Sequence, residues 1–314
     1  MKILLTGSSG FIGKNLVTYL MSLGHEVLAI GRHALKIKDL ESIVTPGFTL
    51  QDLEGSLSPY QFDAVINLAA AGVNPGDRDV SQLLQVNAML PSYLAMIAAQ
   101  KGAKGLITIG SGAEYKVVHP TDSIAESTPL ETDRLYGTSK AAGGIMALAT
   151  GKNLGLPVAV TRLFNVFGPG EAPHRLLPCL FNGLKEQKQV SLSSGSQIRD
   201  FIYVEDVCSG IVSALNSLLD GKLDPGVYNM STGIGTSVAE FCRTTARLMG
   251  ADESLLDFGA LPFRPDDNDM VVGDPTLFKS HTGWKPDFTC EMGILRSLEL
   301  YGMQPRFGDI VESA

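Results

Sequence analysis

Cysteine, charge and long apolar runs are all scarce in this sequence, and each scarcity excludes a class of protein. The four cysteines stand far apart, with no C-x-x-C pair and no metal-ligand spacing; they are Cys179, Cys208, Cys242 and Cys290. We therefore predict free, buried thiols of a cytosolic protein and no metal site. No apolar run approaches the length of a membrane span. Because Lys2 leads directly into the first strand, we expect no signal peptide and a cytoplasmic location without membrane contact.

Basic residues are too few for a nucleic-acid partner. Lysine and arginine number 25 against 33 aspartates and glutamates, which gives a net charge of −8. No run of basic residues offsets this charge, so we expect no nucleic acid to bind. With 314 residues, of which 44% are hydrophobic and 18% charged, the chain can form one large globular domain or two.

A glycine-rich turn near the start organises the rest of the sequence. The apolar run Lys2–Leu5 predicts a buried strand, and Phe11–Leu23 predicts a helix with one apolar face. Between them, Gly7 permits a tight turn, Gly10 lets the backbone approach a pyrophosphate, and Gly13 lets the helix pack closely on the strand. The helix N-terminus offers N–H groups and positive dipole potential to phosphates. The spacing G-x-x-G-x-x-G in this context predicts a site for a diphosphate.

Strands alternate with helices over the first half of the chain, which predicts an α/β fold with a doubly wound parallel sheet of Rossmann type. Further strands are expected at His25–Ile30, Phe48–Leu50, Asp63–Leu68, Lys104–Ile109 and Val158–Leu163. Helices are expected at 33–44, 81–100 and 136–153, and later at 175–187, 205–219 and 236–249, with short strands near 190 and 227. The predicted division is a dinucleotide-binding domain at 1–165 and a smaller C-terminal lobe at 166–314, with segments around 200–215 returning to the first domain.

Three side chains form a candidate catalytic set. Tyr136 and Lys140 are four residues apart on a predicted helix and therefore share one face. A nearby ammonium favours the phenolate, so we expect Lys140 to bring the pKa of Tyr136 towards neutrality and make it a general acid or base. Ser111 follows a strand, where its hydroxyl can hydrogen-bond a substrate carbonyl or alcohol.

These motifs resemble the nucleotide-sugar branch of the extended short-chain dehydrogenase/reductase family over nearly the whole chain. The resemblance is carried by TGSSGFIG at 6–13, NLAA at 67–70, Asn87, Ser111, Tyr136 with Lys140, RLFNVFGP at 162–169, RDFIYVEDV at 199–207 and GWKP at 283–286. It implies hydride transfer between a nicotinamide and a sugar carbon. Tyr136 would move the proton, Ser111 would hold the oxygen, and Lys140 would also bind the nicotinamide ribose.

The resemblance also implies which residues bind each ligand. Cofactor contacts are expected from Gly7, Ser9, Gly10, Phe11, Ile12, Arg32, Asp52, Leu53, Leu68, Ala69, Ala70, Asn87 and Lys140. The smaller lobe would bind the nucleotide sugar, with Asn165 and Arg199 along its diphosphate and Arg264 closing on it. A guanidinium pairs with phosphate oxygens in a forked geometry, which suits this role.

The end of the second strand departs from the NAD-binding pattern of the family. Members that prefer NAD carry a carboxylate there, which accepts hydrogen bonds from the adenosine ribose. This chain has Gly31, Arg32 and His33 instead. Arg32 would pair with a 2′-phosphate that a carboxylate would repel, so we expect NADP (NADPH) as the preferred cofactor and NAD as the alternative. Asp52 falls at the usual adenine-contacting position.

A second departure concerns the sugar 4,6-dehydratases of the same branch. Those enzymes carry an Asp-Glu pair directly after the hydroxyl residue, whereas this chain has Gly112 and Ala113 there. Glu114 comes one place too late, which turns its side chain to the opposite face of a strand end. The sequence therefore argues against dehydration.

Three functions remain open at this point. The leading interpretation is an NADPH-dependent reductase of a nucleotide-linked 4-keto-6-deoxyhexose. The alternative is an NAD-dependent nucleotide-sugar 4-epimerase that uses the same residues. A non-catalytic dinucleotide sensor on the same fold is disfavoured, because a sensor has no need of an acid–base tyrosine.

The helices at 81–100 and 136–153 are apolar on more than one face, and the family pairs these helices across a dimer. We therefore expect a homodimer. The contacts are expected among Ala88, Leu94, Ile97, Ile145, Met146 and Leu148, of which some must pack on the sheet instead.

Overall fold

The computed structural model describes residues 1–74, 76–116, 123–262 and 268–303. Strands and helices are numbered along the chain. The large sheet consists of β1 (Lys2–Thr6), β2 (Glu26–Gly31), β3 (Glu41–Val44), β4 (Ala64–Asn67), β5 (Leu106–Ser111), β6 (Val158–Leu163) and β10 (Gly226–Met230). All seven strands are parallel, in the order β10-β6-β5-β4-β1-β2-β3. The strand order reverses between β1 and β4, which is where such sheets bind ligands. The predicted Rossmann-type sheet is therefore confirmed.

Helices cover both faces of this sheet. One face packs on α1 (Phe11–Ser22) and α7 (Val204–Leu219), and the other on α2 (Leu50–Leu57), α4 (Leu90–Gln100) and α5 (Leu135–Leu154). The chain enters α4 through a three-residue α3 (Val80–Gln82) and a π-helix at Leu83–Met89. The apolar faces seen in the sequence are the buried ones: Leu16 and Leu20 of α1 have no exposed surface. Both faces of the sheet are thus removed from water, as a parallel sheet requires.

The remaining elements form the second lobe. Its four-stranded sheet comprises β7 (Asn165–Phe167), β9 (Ile198–Tyr203), β11 (Gly235–Ser237) and β13 (Met270–Val271), and β8 (Val190–Leu192) pairs with β12 (Leu256–Phe258). Its helices are α6 (Leu176–Lys185), α8 (Val238–Met249) and α10 (Cys290–Leu300), while α9 (Thr276–Thr282) packs near β10. The strand near 227, expected in this lobe, is β10 of the large sheet. The division at residue 165 remains a prediction.

Two expected elements between β2 and β4 are wrong. No helix forms at 33–44; β3 (Glu41–Val44) pairs with β2 there instead. The expected strand at Phe48–Leu50 is the start of α2. Thr49 accepts a hydrogen bond from the N–H of Asp52, whose carboxylate in turn bonds the N–H and hydroxyl of Thr49. This capping box starts a helix where the short apolar run suggested a strand.

The cysteines are free, as expected, although their burial differs. Cys208 and Cys242 are buried and Cys290 is half-buried, whereas Cys179 is exposed. No group of three or more His, Cys, Asp or Glu side chains suitable for a metal occurs in the described ranges. No helix among the described residues is long and apolar enough to cross a bilayer.

Candidate active site

A cavity of about 580 Å³ crosses the C-terminal ends of the strands, where the order of the large sheet reverses. It extends from the end of β2 to the start of α5, so that one cavity joins the glycine turn to the candidate catalytic set. Among the predicted site residues, those that line it are Gly7, Ser9, Gly10, Phe11, Ile12, Arg32, Leu68, Ala69, Ala70, Ser111, Tyr136 and Lys140.

The glycine turn is shaped by close backbone packing. Gly7 has φ = +70°, and a Cβ there would lie 2.6 Å from the carbonyl carbon of Leu68. A Cβ on Gly13 would overlap the carbonyl oxygen of Gly7. Gly10 precedes the first residue of α1, and no side chain caps this end of the helix. The first N–H groups of α1 therefore face the cavity and can bind an anion.

The catalytic set converges at the other end of the cavity. The Ser111 hydroxyl accepts a hydrogen bond from the N–H of Ala113 at 3.2 Å and donates its own proton to the Tyr136 oxygen. Tyr136 is in the first turn of α5, and Lys140 is one turn later, with its ammonium donating to the carbonyl of Ile109. All three side chains line the same wall.

The expected pKa of Tyr136 is wrong for this structure. Burial and the negative charge of Glu114 raise the pKa, and a hydrogen bond from Ser111 with the charges of Arg78 and Arg175 only partly opposes them. Lys140 does not overcome this effect, because burial lowers its own pKa. The tyrosine is therefore held in its protonated form, which is the form that can donate a proton.

Two arginines near Tyr136 were not predicted from the sequence. The guanidinium of Arg78 lies 5.1 Å from the centre of the Tyr136 ring and donates to the carbonyl of Gly72. Arg175 lines the cavity just before α6, with its Nε 3.9 Å from the buried carboxylate of Glu171. Neither arginine stands in a recognisable motif, so only the fold reveals that both surround the tyrosine.

At the far end of the cavity, Arg32 is exposed and lines the wall immediately after β2. The other two residues expected near the adenosine do not line it. The Asp52 carboxylate is taken up by the capping box of α2, and Leu53 is fully buried in the core. An adenine contact from either one finds no support in this geometry.

Asn87 supports the cavity wall from behind. It is buried in the π-helix, where its side chain bonds both the N–H and the carbonyl of Ala71 and also the hydroxyl of Ser139. It is not among the described residues that line the cavity. The structure thus shows it tying the turn after β4 to α5, and a direct cofactor contact remains a prediction.

The expected diphosphate residues lie in the second lobe, outside the described lining of the cavity. Asn165 is half-buried at the start of β7. Arg199 is buried in β9, where its guanidinium donates to the carbonyls of Ile198 and Asn268. Arg264 lies outside the described residues. The predicted roles of these three residues are therefore untested.

Proteins similar to this chain include 4,6-dehydratases and 4-epimerases of nucleotide sugars. The chain is 26% identical to a probable dTDP-glucose 4,6-dehydratase of Sinorhizobium fredii over 96% of this chain and 93% of that protein. It is also 26% identical to a UDP-glucose 4-epimerase of Mycolicibacterium smegmatis, over 96% and 98% of the two chains. The Thermus thermophilus UDP-glucose 4-epimerase, solved in complex with NAD, superposes with a TM-score of 0.85 at 26% identity, covering 96% of this chain and 99% of that one. Residues 3–231 match the model of the NAD dependent epimerase/dehydratase family, and the chain belongs to that family.

Proposed function

We propose that this protein is an NADPH-dependent reductase of the C4 ketone of a nucleotide-linked 4-keto-6-deoxyhexose. The observation that carries the proposal is the composition of the two ends of one cavity. Ser111, Tyr136 and Lys140 meet at one end, and an exposed Arg32 stands at the other. The described lining contains one carboxylate, Asp77, which belongs to the loop after β4 and not to the turn after β2 that carries Arg32.

The residues present fit a nicotinamide dinucleotide. The uncapped start of α1 offers N–H groups to the pyrophosphate, and the glycines leave room for its close approach. Arg32 is suited to a 2′-phosphate, because among the described residues no acidic side chain pairs with it. When bound, the cofactor supplies the hydride that the carbonyl carbon accepts.

The protein's own residues would then handle the oxygen and the proton. The Ser111 hydroxyl, held by the N–H of Ala113, would donate its hydrogen bond to the keto oxygen in place of the Tyr136 oxygen. Tyr136 gives its phenolic proton to the same oxygen as negative charge develops there, which completes the alcohol. The Lys140 ammonium stands one turn away and is fixed by the carbonyl of Ile109.

The position of Glu114 disfavours dehydration. Its carboxylate is fully buried, bonded to the N–H of Ser111 and to Arg162, and it is not among the described residues that line the cavity. It therefore cannot serve as the acid or base of a water elimination, and Gly112 and Ala113 have no group to replace it.

A nucleotide-sugar 4-epimerase is the second candidate, favoured by relatives of that name with the same overall length. It would use Ser111, Tyr136 and Lys140 in the same roles, but it must retain its cofactor through oxidation and re-reduction. The turn after β2 argues against such retention, since Arg32 is exposed there and residues 31–33 include no carboxylate that could bind the ribose.

The two candidates differ in what purifies with the protein. A reductase releases oxidised cofactor in each cycle, so we expect a preparation largely free of dinucleotide. Absorbance at 340 nm should then fall when NADPH and a nucleotide-linked 4-keto-6-deoxyhexose are added together. Tightly held NAD⁺, with inversion of a sugar 4-hydroxyl and no net use of NADPH, would replace the reductase by the epimerase.

We also propose that the protein is a homodimer. Within the described helices, Leu94 and Ile97 are fully buried in the core of one chain and cannot be contacts. Ile145 and Met146 are about half exposed, and Met89 of the π-helix and Met96 of α4 are also exposed. Sedimentation at micromolar concentration should give a dimer, and a single species near the 33.4 kDa of one chain would reject it.

A further inference from the structure

A buried carboxylate lies directly behind the catalytic serine and has no part in the mechanism above. Glu114 ends the 3₁₀ turn (Gly112–Glu114) that follows β5, and its side chain has no exposed surface. One carboxylate oxygen accepts a hydrogen bond from Ser111 N at 2.8 Å, and the other lies 2.7 Å from Arg162 Nε. A carboxylate this deeply buried is costly unless both oxygens are paired, and here both are.

Arg162 connects this carboxylate to a rigid layer beneath it. The guanidinium, on β6, lies 4.4 Å from the centre of the Tyr115 ring. The Tyr115 hydroxyl in turn donates to Asn229 Oδ1 of β10 at 2.6 Å. The Ser111 backbone is thus fixed through Glu114 to two neighbouring strands of the large sheet.

The space around Glu114 is shaped to hold it. A Cβ on Gly110 would lie 2.5 Å from a carboxylate oxygen of Glu114, so any larger residue would displace it. On the other side, a Cβ on Gly137 would overlap the carbonyl oxygen of Ala113, so α5 rests directly on the turn. Because Tyr136 adjoins Gly137, the turn that holds Ser111 and the helix that holds Tyr136 cannot move independently.

The charge of Glu114 also reaches both titrating members of the catalytic set. After burial, it is the largest influence that raises the pKa of Tyr136, and it raises the pKa of Lys140 against the effect of burial. The groups that oppose it at Tyr136 are Ser111, Arg78 and Arg175. The cation that faces Glu114 itself from β6 is Arg162.

We propose that Glu114 is a positioning residue: it fixes the backbone of Ser111 and the turn on which α5 rests, and its buried negative charge opposes formation of a phenolate at Tyr136. This inference rests on the proposed function for the reaction that it serves. The contacts and the charge exist whatever the reaction is, so they can be tested separately.

The test is Glu114→Gln, with ionisation of Tyr136 read directly. The change removes the negative charge but keeps an amide oxygen that can accept from Ser111 N. We expect phenolate absorbance near 295 nm, taken as the difference from a Tyr136→Phe protein, to appear at lower pH than in the unchanged protein. With NADPH and the keto sugar, kcat should fall about 10- to 100-fold, since small displacements of catalytic groups cost this much. NADPH affinity should stay within a few-fold.

Glu126→Gln is the matched control. Glu126 accepts from the backbone N–H of Asn229 at the other end of the same network and does not contact Ser111. The control should leave both the Tyr136 titration and kcat unchanged. An equal loss of kcat in the control would mean that the network is merely structural and would overturn the proposal.

A second variant keeps the test possible if the Glu114→Gln protein does not fold. Glu114→Gln leaves the Arg162 guanidinium buried without a counter-charge, which is destabilising. The double change Glu114→Gln with Arg162→Met removes that charge as well and should show the same shift of the Tyr136 titration. An unshifted titration in the folded variant overturns the role of the charge. If the unchanged protein reduces no keto sugar, the proposed function fails, and the titration still decides this inference.

Discussion

The two ends of the cavity differ in the exposure of their charged side chains. At the end where we expect the adenosine, Arg32 is exposed on the turn after β2, and the glycine turn lines the same cavity. At the other end, which holds Ser111, Tyr136 and Lys140 and where we expect the nicotinamide, Lys140 and Glu114 are buried. Their polar atoms have specific hydrogen-bond partners. We expect the first end to exchange its ligand readily, because Arg32 is exposed to solvent. The second cannot rearrange without leaving buried charges unpaired.

The difference indicates where affinity and where rate are determined. An exposed charged contact sets how tightly a cofactor binds, and it is screened by salt and easily changed. A buried network sets where a proton and an oxygen meet, and small errors there cost rate rather than binding. Variants at the two ends should therefore separate into affinity defects and rate defects.

The largest effect is expected from Tyr136→Phe at the buried end. Removing the phenolic proton donor should lower kcat about 10²- to 10⁴-fold, while NADPH affinity stays within a few-fold. Stopped-flow turnover and a fluorescence titration of NADPH would measure the two quantities. Near-normal turnover of a keto sugar would show that Tyr136 is not the acid.

Arg32→Ala should have a smaller effect, and on affinity alone. A charge-assisted hydrogen bond contributes about 1.5–3 kcal/mol, so NADPH binding should weaken roughly 10- to 100-fold. NADH binding should hardly change, because its ribose has no phosphate to pair. The control is the same titration with NADH. Equal losses for both cofactors would make Arg32 a structural residue and would remove the argument for NADP.

The smallest expected effect is on the free energy of unfolding, through the buried carboxyl group of Glu171. Burial raises the pKa of Glu171 to about 7, against the opposing N–H of Gly168 and the charge of Arg175. Because the folded state holds this proton more tightly than the unfolded chain, the stabilisation is complete below about pH 4.5 and is lost as pH rises through 7. Glu171→Gln should remove this loss, which is about 1–3 kcal/mol.

Urea unfolding at pH 5 and pH 8 would measure how the free energy of unfolding changes with pH in the unchanged protein and in Glu171→Gln. Asp206, whose pKa burial raises to about 6, contributes a slope of the same sign in both and so cancels in the comparison. An identical pH dependence of the two proteins would contradict the assignment to Glu171.

Sequence reasoning identified the parts of the site whose chemistry is local. The glycine turn and the Tyr136–Lys140 pair each lie within a few residues, so their spacing alone places them on a turn and on one helix face. The parallel sheet followed from the alternation of apolar runs, but β3 and β10 were not expected in it. These features are specified by neighbours in the chain.

The features that sequence reasoning missed depend on long-range packing. The pKa of Tyr136 was expected to fall because Lys140 is close in sequence, but burial and Glu114 dominate once the fold assembles. Arg78 and Arg175 come from two separate loops and meet only in the folded protein. At Phe48–Leu50 the error was local: a capping box outweighed a short apolar run.

Two glycines of α5 have a consequence for motion, because each lies directly against the backbone of a neighbouring element. Gly137 rests on the carbonyl of Ala113, and a Cβ on Gly143 would overlap the carbonyl of Asn87 in the π-helix. Backbone is thus pressed against backbone at two points, with no flexible side chains between them to absorb a displacement. The start and the middle of α5 are therefore held rigidly, one against the turn after β5 and the other against the π-helix. Amide hydrogens in α5 should be among the last in the protein to exchange with deuterium.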